Sequence, residues 1–465
     1  MGLAIHLKGF APLIVYVCGM ILTLMAMTGR VRPALMLVAF ILPLRNVIDR
    51  LLVFPLGNQF IDILLLGAII GWFVNTNTNK RQLIDKSGIN SIAAVLAVFI
   101  FISLILGSFY LYGTLSLSLH DSRVTDCKNF ILFPIIFFIY FNNIREKKDV
   151  QQIFIIMCIS VAIVAYYTGI QINSFGSSLV SREKIKSTFQ FLGPNEIAGF
   201  LNTFTIILMS VFYFTKNSKI KIFYFFLILI NLFCIAFLYS RGAYAGLCIG
   251  LLILFALKDQ KMLVPLVLML VLWQSVLPEK VVERIKQTKS ESGGLDISSQ
   301  RRINVWSQAI DLFKSNPVTG IGYGSFRKLG YDLGDTHNIY VKILCEQGLV
   351  GFTIFLVLLF SFMKEGFTLY QKGEDDHFSK GLGLGFFICI FVLMVNNFFG
   401  DRWSYLEPNA YLWIFAGLVA RLNLIAEDHQ QAMTAKPVKK AAVNTEKDKQ
   451  HIKKRIRYYD PPERT

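Results

Sequence analysis

The sequence predicts an all-α polytopic transmembrane helical protein of about 12 or 13 spans, with one long extracytoplasmic loop that contains an amphipathic helix. Three observations predict it. Of the 465 residues 54% are hydrophobic and the mean hydropathy is +0.53, so most of the chain needs an apolar solvent. A hydrocarbon core of about 30 Å takes roughly 20 apolar residues per helix, and such stretches recur from one end of the chain to the other. Much of the charge lies in the connections between them.

The apolar stretches fall at 10–28, 33–54 (interrupted), 59–74, 91–110, 128–141, 150–170, 194–214, 221–239, 242–257, 261–277, 338–363, 381–399 and 407–424. The first reads as a span and not a removable signal, because Gly29, Arg30, Val31, Arg32 and Pro33 lead straight into another apolar stretch without a small-residue cleavage site. Within the second, Leu44 to Asn58 holds Arg45, Asp49, Arg50 and Pro55. An exposed loop and a re-entrant piece both fit, which leaves the parity before residue 59 open.

Short basic loops stay in the cytoplasm. Three occur: Lys80, Arg81 and Lys86; Arg145, Lys147 and Lys148; Lys216, Lys219 and Lys221. Even numbers of spans separate them, so all three can share one side. The connections at 111–127, 171–193, 240–242 and 278–337 then fall on the opposite face. Residues 1–424 read as one transmembrane domain, and 425–465 as a cytoplasmic disordered tail. Its Lys439, Lys440, Lys453, Lys454, Arg455 and Arg457 are expected near anionic lipid.

The formal charge of +17 points to membrane lipids and a lipid-linked phosphate, not to nucleic acid, since much of it lies between spans. The seven cysteines are scattered, with no C-x-x-C pair and no clustering with histidine, so neither a disulfide framework nor a metal site is expected.

Ionisable groups near the membrane are expensive unless used, which narrows the search for chemistry to three clusters on the extracytoplasmic side. The first runs Ser181, Arg182, Glu183, Lys184, Ile185, Lys186 and ends at Gly193, Pro194, Asn195, Glu196, where a span opens. Free backbone donors at that helix start would face an anion, and an ordinary capped start explains Pro194 and Asn195 equally well. The second is Ser240 to Gly246. Arg241 sits there between two spans with almost no loop, so its guanidinium must be paired, snorkelled or bound to an anion, and the small residues permit close helix approach.

The third is the long loop. It opens with Glu279, Lys280, Glu283, Arg284, Lys286 and Lys289, passes Gly293 and Gly294, and reaches Arg301 and Arg302. Ile303, Trp306, Ile310 and Phe313 fall on one face of a helix expected to lie on the membrane, with Trp306 at the interface. Arg301 and Arg302 would cap its N-terminal side, where cations oppose the helix dipole unless an anion shares the site. Pro317 ends the helix, and Gly320, Gly322 and Gly324 predict a compact turn that folds the loop back. His337 then stands where loop re-enters membrane, followed by Asn338, Tyr340 and Glu346.

Four segments resemble the O-antigen ligase superfamily, which includes O-antigen and exopolysaccharide polymerases and bacterial protein O-oligosaccharyltransferases. They are Phe189 to Ala198 (FQFLGPNEIA), Ser240 to Gly246 (SRGAYAG), Arg302 to Phe326 (RINVWSQAIDLFKSNPVTGIGYGSF) and His337 to Gly351 (HNIYVKILCEQGLVG). The last two are the specific ones, and the resemblance covers about residues 150–400. It implies transfer of a glycan from undecaprenyl diphosphate to an acceptor hydroxyl of a glycan or lipid A core. The setting implied is the periplasmic side of the bacterial inner membrane, with no metal, nucleotide or other cofactor.

On that resemblance Arg302, Arg241, Arg182 and Arg284 are expected to hold the diphosphate, since guanidinium forks match its oxygens bidentately. His337 is expected to act as base toward the acceptor hydroxyl or to position it. Trp306, Asn338, Tyr340 and Glu346 are expected to support them, with Glu346 about two and a half helical turns from His337 and too far to pair with it. A lipid-linked glycan transporter or flippase shares this composition. It would usually show two related halves and charges near the midplane, whereas here no internal repeat appears and charge gathers at one face. Within glycan transfer, a surface polysaccharide polymerase or ligase fits better than a protein O-oligosaccharyltransferase, because no added C-terminal domain recruits a protein.

Overall fold

The structure is a computed structural model that describes residues 2–118, 120–175, 181–189, 192–276, 278–286, 297–331, 334–373 and 376–434. Among these the secondary structure is helical, with no strand. The first six helices are α1 (Gly2–Met27), α2 (Arg32–Ile41), α3 (Arg45–Ile48), α4 (Phe60–Thr78), α5 (Asn90–Tyr112) and α6 (Ser122–Asn143). The next six are α7 (Lys147–Phe175), α8 (Pro194–Phe214), α9 (Ser218–Phe237), α10 (Arg241–Lys258), α11 (Leu263–Val271) and α12 (Trp273–Val276). The last six are α13 (Glu279–Lys286), α14 (Ile297–Ser315), α15 (Ser325–Lys328), α16 (Ile339–Lys372), α17 (His377–Phe398) and α18 (Leu406–Thr434).

Each apolar stretch read from the sequence coincides with a helix, but the helices are not equivalent. Among the described residues ten, α4 to α10 and α16 to α18, are long and apolar enough to cross a membrane. Pro12–Met27, Arg32–Ile41 and Gln260–Val271 are shorter apolar helices. Against the 12 or 13 spans expected, ten such helices thus stand among the described residues, and in the second stretch the difference arises because hydropathy alone cannot see where the backbone stops being helical. The ten residues of α2 rise only about 15 Å, half of the hydrocarbon thickness. The backbone after α2 is irregular yet packed within protein: Leu42, Leu44, Ile48 and Leu51 are buried. Non-helical backbone at this depth is tolerated only where protein or a cavity surrounds it.

The core is organised around α17. Gly381 and Gly385 bring it against the backbone of α8 at Val211 and Ile207, and Gly383 brings it against α16 at Tyr370. Gly242, Gly246 and Gly250 form an i, i+4, i+8 stripe on α10. A Cβ at Gly242 would lie 2.9 Å from Phe399, one at Gly246 2.9 Å from Asn202, and one at Gly250 2.7 Å from Ile206 and Val392. Small residues spaced this way let helix axes approach closely.

Cross-contacts sort the connections into two ends. At one, Asp85 pairs with Arg145 (3.2 Å) and Arg421 (2.6 Å), and Lys147 pairs with Asp376 (2.8 Å). These are the turns beside the predicted basic loops. At the other, the Asn46 N–H donates to the Thr188 carbonyl, Arg45 faces Glu407, and Arg327 pairs with Asp126. The segment from Leu44 to Asn58, open in the sequence, thus lies at the same end as the long loop.

Two further expectations change. Helix α18 continues to Thr434, so the chain is still helical beyond residue 425, where a disordered tail was expected to begin. The tail cations from Lys439 to Arg457 lie outside the described residues. Helix α14 starts at Ile297, which sets Arg301 and Arg302 in its second turn and not at its cap.

Candidate active site

The long loop folds back by means of its glycines. Gly320, Gly322 and Gly324 all have left-handed φ (+68°, +93° and +69°), open to glycine without steric cost. Helix α16 is broken opposite them, where Gly348 adopts φ +62° and ψ −162°. The break frees carbonyls that the loop then uses. Ile321 and Gly322 donate their N–H groups to the Cys345 and Glu346 carbonyls (2.9 and 2.8 Å), and Leu349 and Val350 donate back to Pro317 and Val318 (2.9 and 3.1 Å). The Glu346 side chain completes the junction by accepting the N–H groups of Gly324 (3.1 Å) and Phe326 (3.2 Å).

Helix α14 lies over this junction. Its packed face is Val305 and Ala309, set against Ile321, Phe326 and Cys345, with Leu312 beside them. The face expected to rest on the membrane is displaced from it, and Ile303 and Ile310 are exposed, at 42% and 40%. Trp306 is half-buried and donates its indole N–H to the Thr336 carbonyl at 2.7 Å. That bond ties α14 to the turn before His337.

His337 has left-handed φ (+51°), which is uncommon for a residue with a side chain. It lines a cavity of about 680 Å³ with Asp335, Lys342 and Glu346. Lys342 donates to Asp401 at 2.7 Å and stands 3.8 Å from Asp335. Burial pushes the Asp401 carboxyl up, but Lys342 and Ser404 outweigh it and hold that carboxyl below its ordinary value. Asn338 is the N-cap of α16, accepting from Tyr340 N–H (3.0 Å) and Val341 N–H (3.3 Å). The Tyr340 hydroxyl donates to the Met394 carbonyl at 2.8 Å, fastening α16 to α17. Both roles are structural.

The four arginines separate into two places. Arg182 is buried and donates to the Leu238 and Tyr239 carbonyls (2.9 and 3.1 Å) while pairing with Glu183 (3.0 Å). Arg284 donates to the same Tyr239 carbonyl at 3.4 Å. Tyr239 is itself left-handed (φ +51°), and Arg241 opens α10 two residues later. Arg182, Arg241 and Arg284 thus gather at the turn between α9 and α10. Arg302 is on α14, one turn before Trp306, and is not among the residues lining the His337 cavity. The end of α17 bridges the two places: Phe399 packs on Gly242, and Phe398 meets the Trp306 ring edge-on at 5.9 Å.

Sequence reasoning missed most of the cavity wall. Arg45, Asp62, Lys128, Arg327 and Lys342 line it and were not singled out for chemistry. One signal was available for Lys342, which with Asn338 and Glu346 repeats at i, i+4 and i+8 along the first turns of α16. The start of α8, read as a candidate anion site, is closed by Glu196 from within and by Arg402 from the segment after α17. Glu196 accepts the Gly193 N–H (3.1 Å), and the buried Arg402 donates to the Asn195 carbonyl (3.3 Å).

Among the described residues no group of three or more His, Cys, Asp or Glu side chains is placed to hold a metal ion. Compared with known proteins, residues 223–356 match the O-Antigen ligase family. The chain is also similar to an uncharacterized protein of Haemophilus influenzae, 27% identical over 190 residues that cover 35% of this chain and 48% of the relative. The chain thus spans about half the length of that curated relative. The family match is narrower than the resemblance in the sequence: it takes in Arg241, Arg284, Arg302 and His337 and leaves Arg182 outside. The matched residues 223–356 hold the glycine junction and the His337 turn, so it is this part of the chain that is similar to the O-Antigen ligase family.

Proposed function

We propose that this chain transfers a glycan from undecaprenyl diphosphate to an acceptor hydroxyl at the periplasmic side of the bacterial inner membrane, as a surface polysaccharide polymerase or ligase. The observation that carries the reading is the coupling of His337 to α14. The histidine faces a cavity of about 680 Å³, and the carbonyl just before it is held by Trp306, one turn from Arg302.

In the proposed reaction the acceptor oxygen attacks the anomeric carbon of the donor sugar. The bond from that carbon to the diphosphate oxygen breaks, the hydroxyl proton passes to the His337 imidazole, and the lipid diphosphate departs. Arg302 and the cluster of Arg182, Arg241 and Arg284 stabilise the charge that develops on it. A charge-assisted hydrogen bond contributes roughly 1.5–3 kcal/mol, so two or three guanidiniums supply a large part of the stabilisation. The leaving group is already activated, and no step calls for a metal. Asn338, Tyr340, Glu346 and Trp306 act by position.

The test is complementation. Surface glycans are extracted from a strain lacking the gene and from strains carrying wild type, Arg302→Ala or His337→Ala at matched membrane levels. Both variants are expected to lose about a hundredfold or more in transfer. Single-repeat products accumulating in the deletion identify a polymerase, and long chains stranded on undecaprenyl diphosphate identify a ligase. Unchanged glycan in every strain defeats the enzyme reading and favours transport.

A further inference from the structure

The His337 cavity has two walls of different origin. One is built from Tyr323 to Glu346, inside the segment that matches the family. The other comes from the first 130 residues, with Arg45, Asn58, Asp62, Lys128 and Asn129 on α3, α4, α6 and the turn between α3 and α4. Nothing in the family match covers this second wall.

Its charges are self-cancelling. Asp62 pairs with Lys128 at 2.6 Å, Asp126 with Arg327, and Arg45 stands 3.9 Å from Glu407. Around the whole cavity four cations, Arg45, Lys128, Arg327 and Lys342, meet five carboxylates, Asp62, Asp126, Asp335, Glu346 and Glu407. A pocket for a diphosphate needs an excess of positive charge, and counted by formal charge this one has none. What it offers is a dense, alternating set of donors and acceptors on side chains that remain partly exposed, with Asp62 at 34% and Lys128 at 51%. Uncharged hydroxyl-rich ligands satisfy both members of such a pair at once, and a volume of about 680 Å³ falls in the range of sites for ligands of short-oligosaccharide size.

We infer that Asp62 and Lys128, flanked by Asn58 and Asn129, form the sugar subsite that selects the acceptor glycan. The inference rests on the transfer reading above. It separates the two demands on the site: the wall shared with the family supplies His337, and the wall outside the family match reads the sugar.

The experiment uses the full chain in lipid nanodiscs and, as probe, the glycans released by mild acid from the host's lipid-linked pool, which lack the diphosphate. Wild type is expected to bind them, and excess inorganic diphosphate is expected not to compete. Asp62→Asn with Lys128→Gln should weaken binding about tenfold or more. The swapped pair, Asp62→Lys with Lys128→Asp, keeps an ion pair at the same place but exchanges donor and acceptor. A subsite predicts that the swap restores thermal stability without restoring binding. Wild-type affinity in the swapped protein, competition by diphosphate, or no binding by wild type overturns the inference. If the deletion strain nevertheless shows altered surface glycan, the transfer reading survives that outcome; if its glycan is unchanged, the transfer reading itself has failed.

Discussion

The Glu346 carboxylate accepts the backbone N–H of Gly324 at 3.1 Å, across a junction between a helix broken at Gly348 and a loop some twenty residues earlier in the chain. Its other oxygen takes the Phe326 N–H at 3.2 Å, and Glu346 is 1% exposed. Glu346→Ala leaves both donors without a partner, at about 1–3 kcal/mol each. Glu346→Gln keeps one acceptor oxygen and sets an amide N–H₂ against the other donor, so it is expected to fall between. Hydrogen exchange of residues 320–328 in detergent reads the effect, and the alanine variant should exchange markedly faster. Wild-type exchange there would remove Glu346 from this role.

The glycines of the same junction differ in what they tolerate. A Cβ at Gly348 would sit 2.4 Å from the Val318 carbonyl oxygen, in a backbone region that only glycine occupies. Gly348→Ala is therefore expected to abolish recovery of folded protein. Gly330 also has a left-handed φ, but a Cβ there meets nothing within 4 Å. Gly330→Ala should cost only about 1–2 kcal/mol and leave a folded protein. Fluorescence-detected size-exclusion of the two variants makes the comparison, and equal recovery would show that the close approach at Gly348 is not needed.

Trp306→Phe retains a ring against Phe398 and removes the hydrogen bond to the Thr336 carbonyl. One neutral hydrogen bond contributes about 1 kcal/mol. If the bond serves to hold the His337 turn, kcat should fall roughly fivefold while donor KM and the thermal midpoint change little. A fall in stability with unchanged kcat would assign Trp306 to packing alone.

Asp121 predicts an acid limit to stability. Burial pushes its carboxyl up, but the Arg123 side chain and N–H, with Lys328, outweigh that and hold it at about 2. The unfolded chain titrates near 3.9. A depressed carboxyl contributes stability that is complete above about pH 4 and is lost as the pH falls toward 2, here about 2 kcal/mol. Asp121→Asn should remove this limb from a thermal-unfolding profile between pH 7 and 3. At neutral pH it should also cost about 3–5 kcal/mol, because Arg123 is 0% exposed and loses its 2.7 Å partner.

Hydropathy and charge sufficed for the class of fold, since a helix that crosses lipid must be apolar along its own length and announces itself locally. The basic loops likewise fall at one end of the structure, because that signal resides in short contiguous segments. The string from Arg302 through the glycines to His337 was legible for the same reason: its residues are close in the chain. What hydropathy could not see was the half-length helix at 32–41 and the irregular backbone after it, which is stable only because other helices enclose it. Nor could spacing show that Val305 and Ala309, and not Ile303 and Ile310, would face the protein, for that depends on where Ile321 and Cys345 lie.

The sequence by itself thus determined an α-helical membrane protein, the grouping of its basic loops at one end, and the motifs that resemble the O-antigen ligase superfamily. The tertiary structure alone decided that Arg182, Arg241 and Arg284 meet at one turn while Arg302 stands elsewhere, and that Asp62 and Lys128 face the same cavity as His337. The physical reason is separation along the chain. Asp62 and Lys128 are ordinary charges at the starts of two spans, and only the packing of α4 and α6 beside the glycine junction brings them within reach of a histidine more than two hundred residues away.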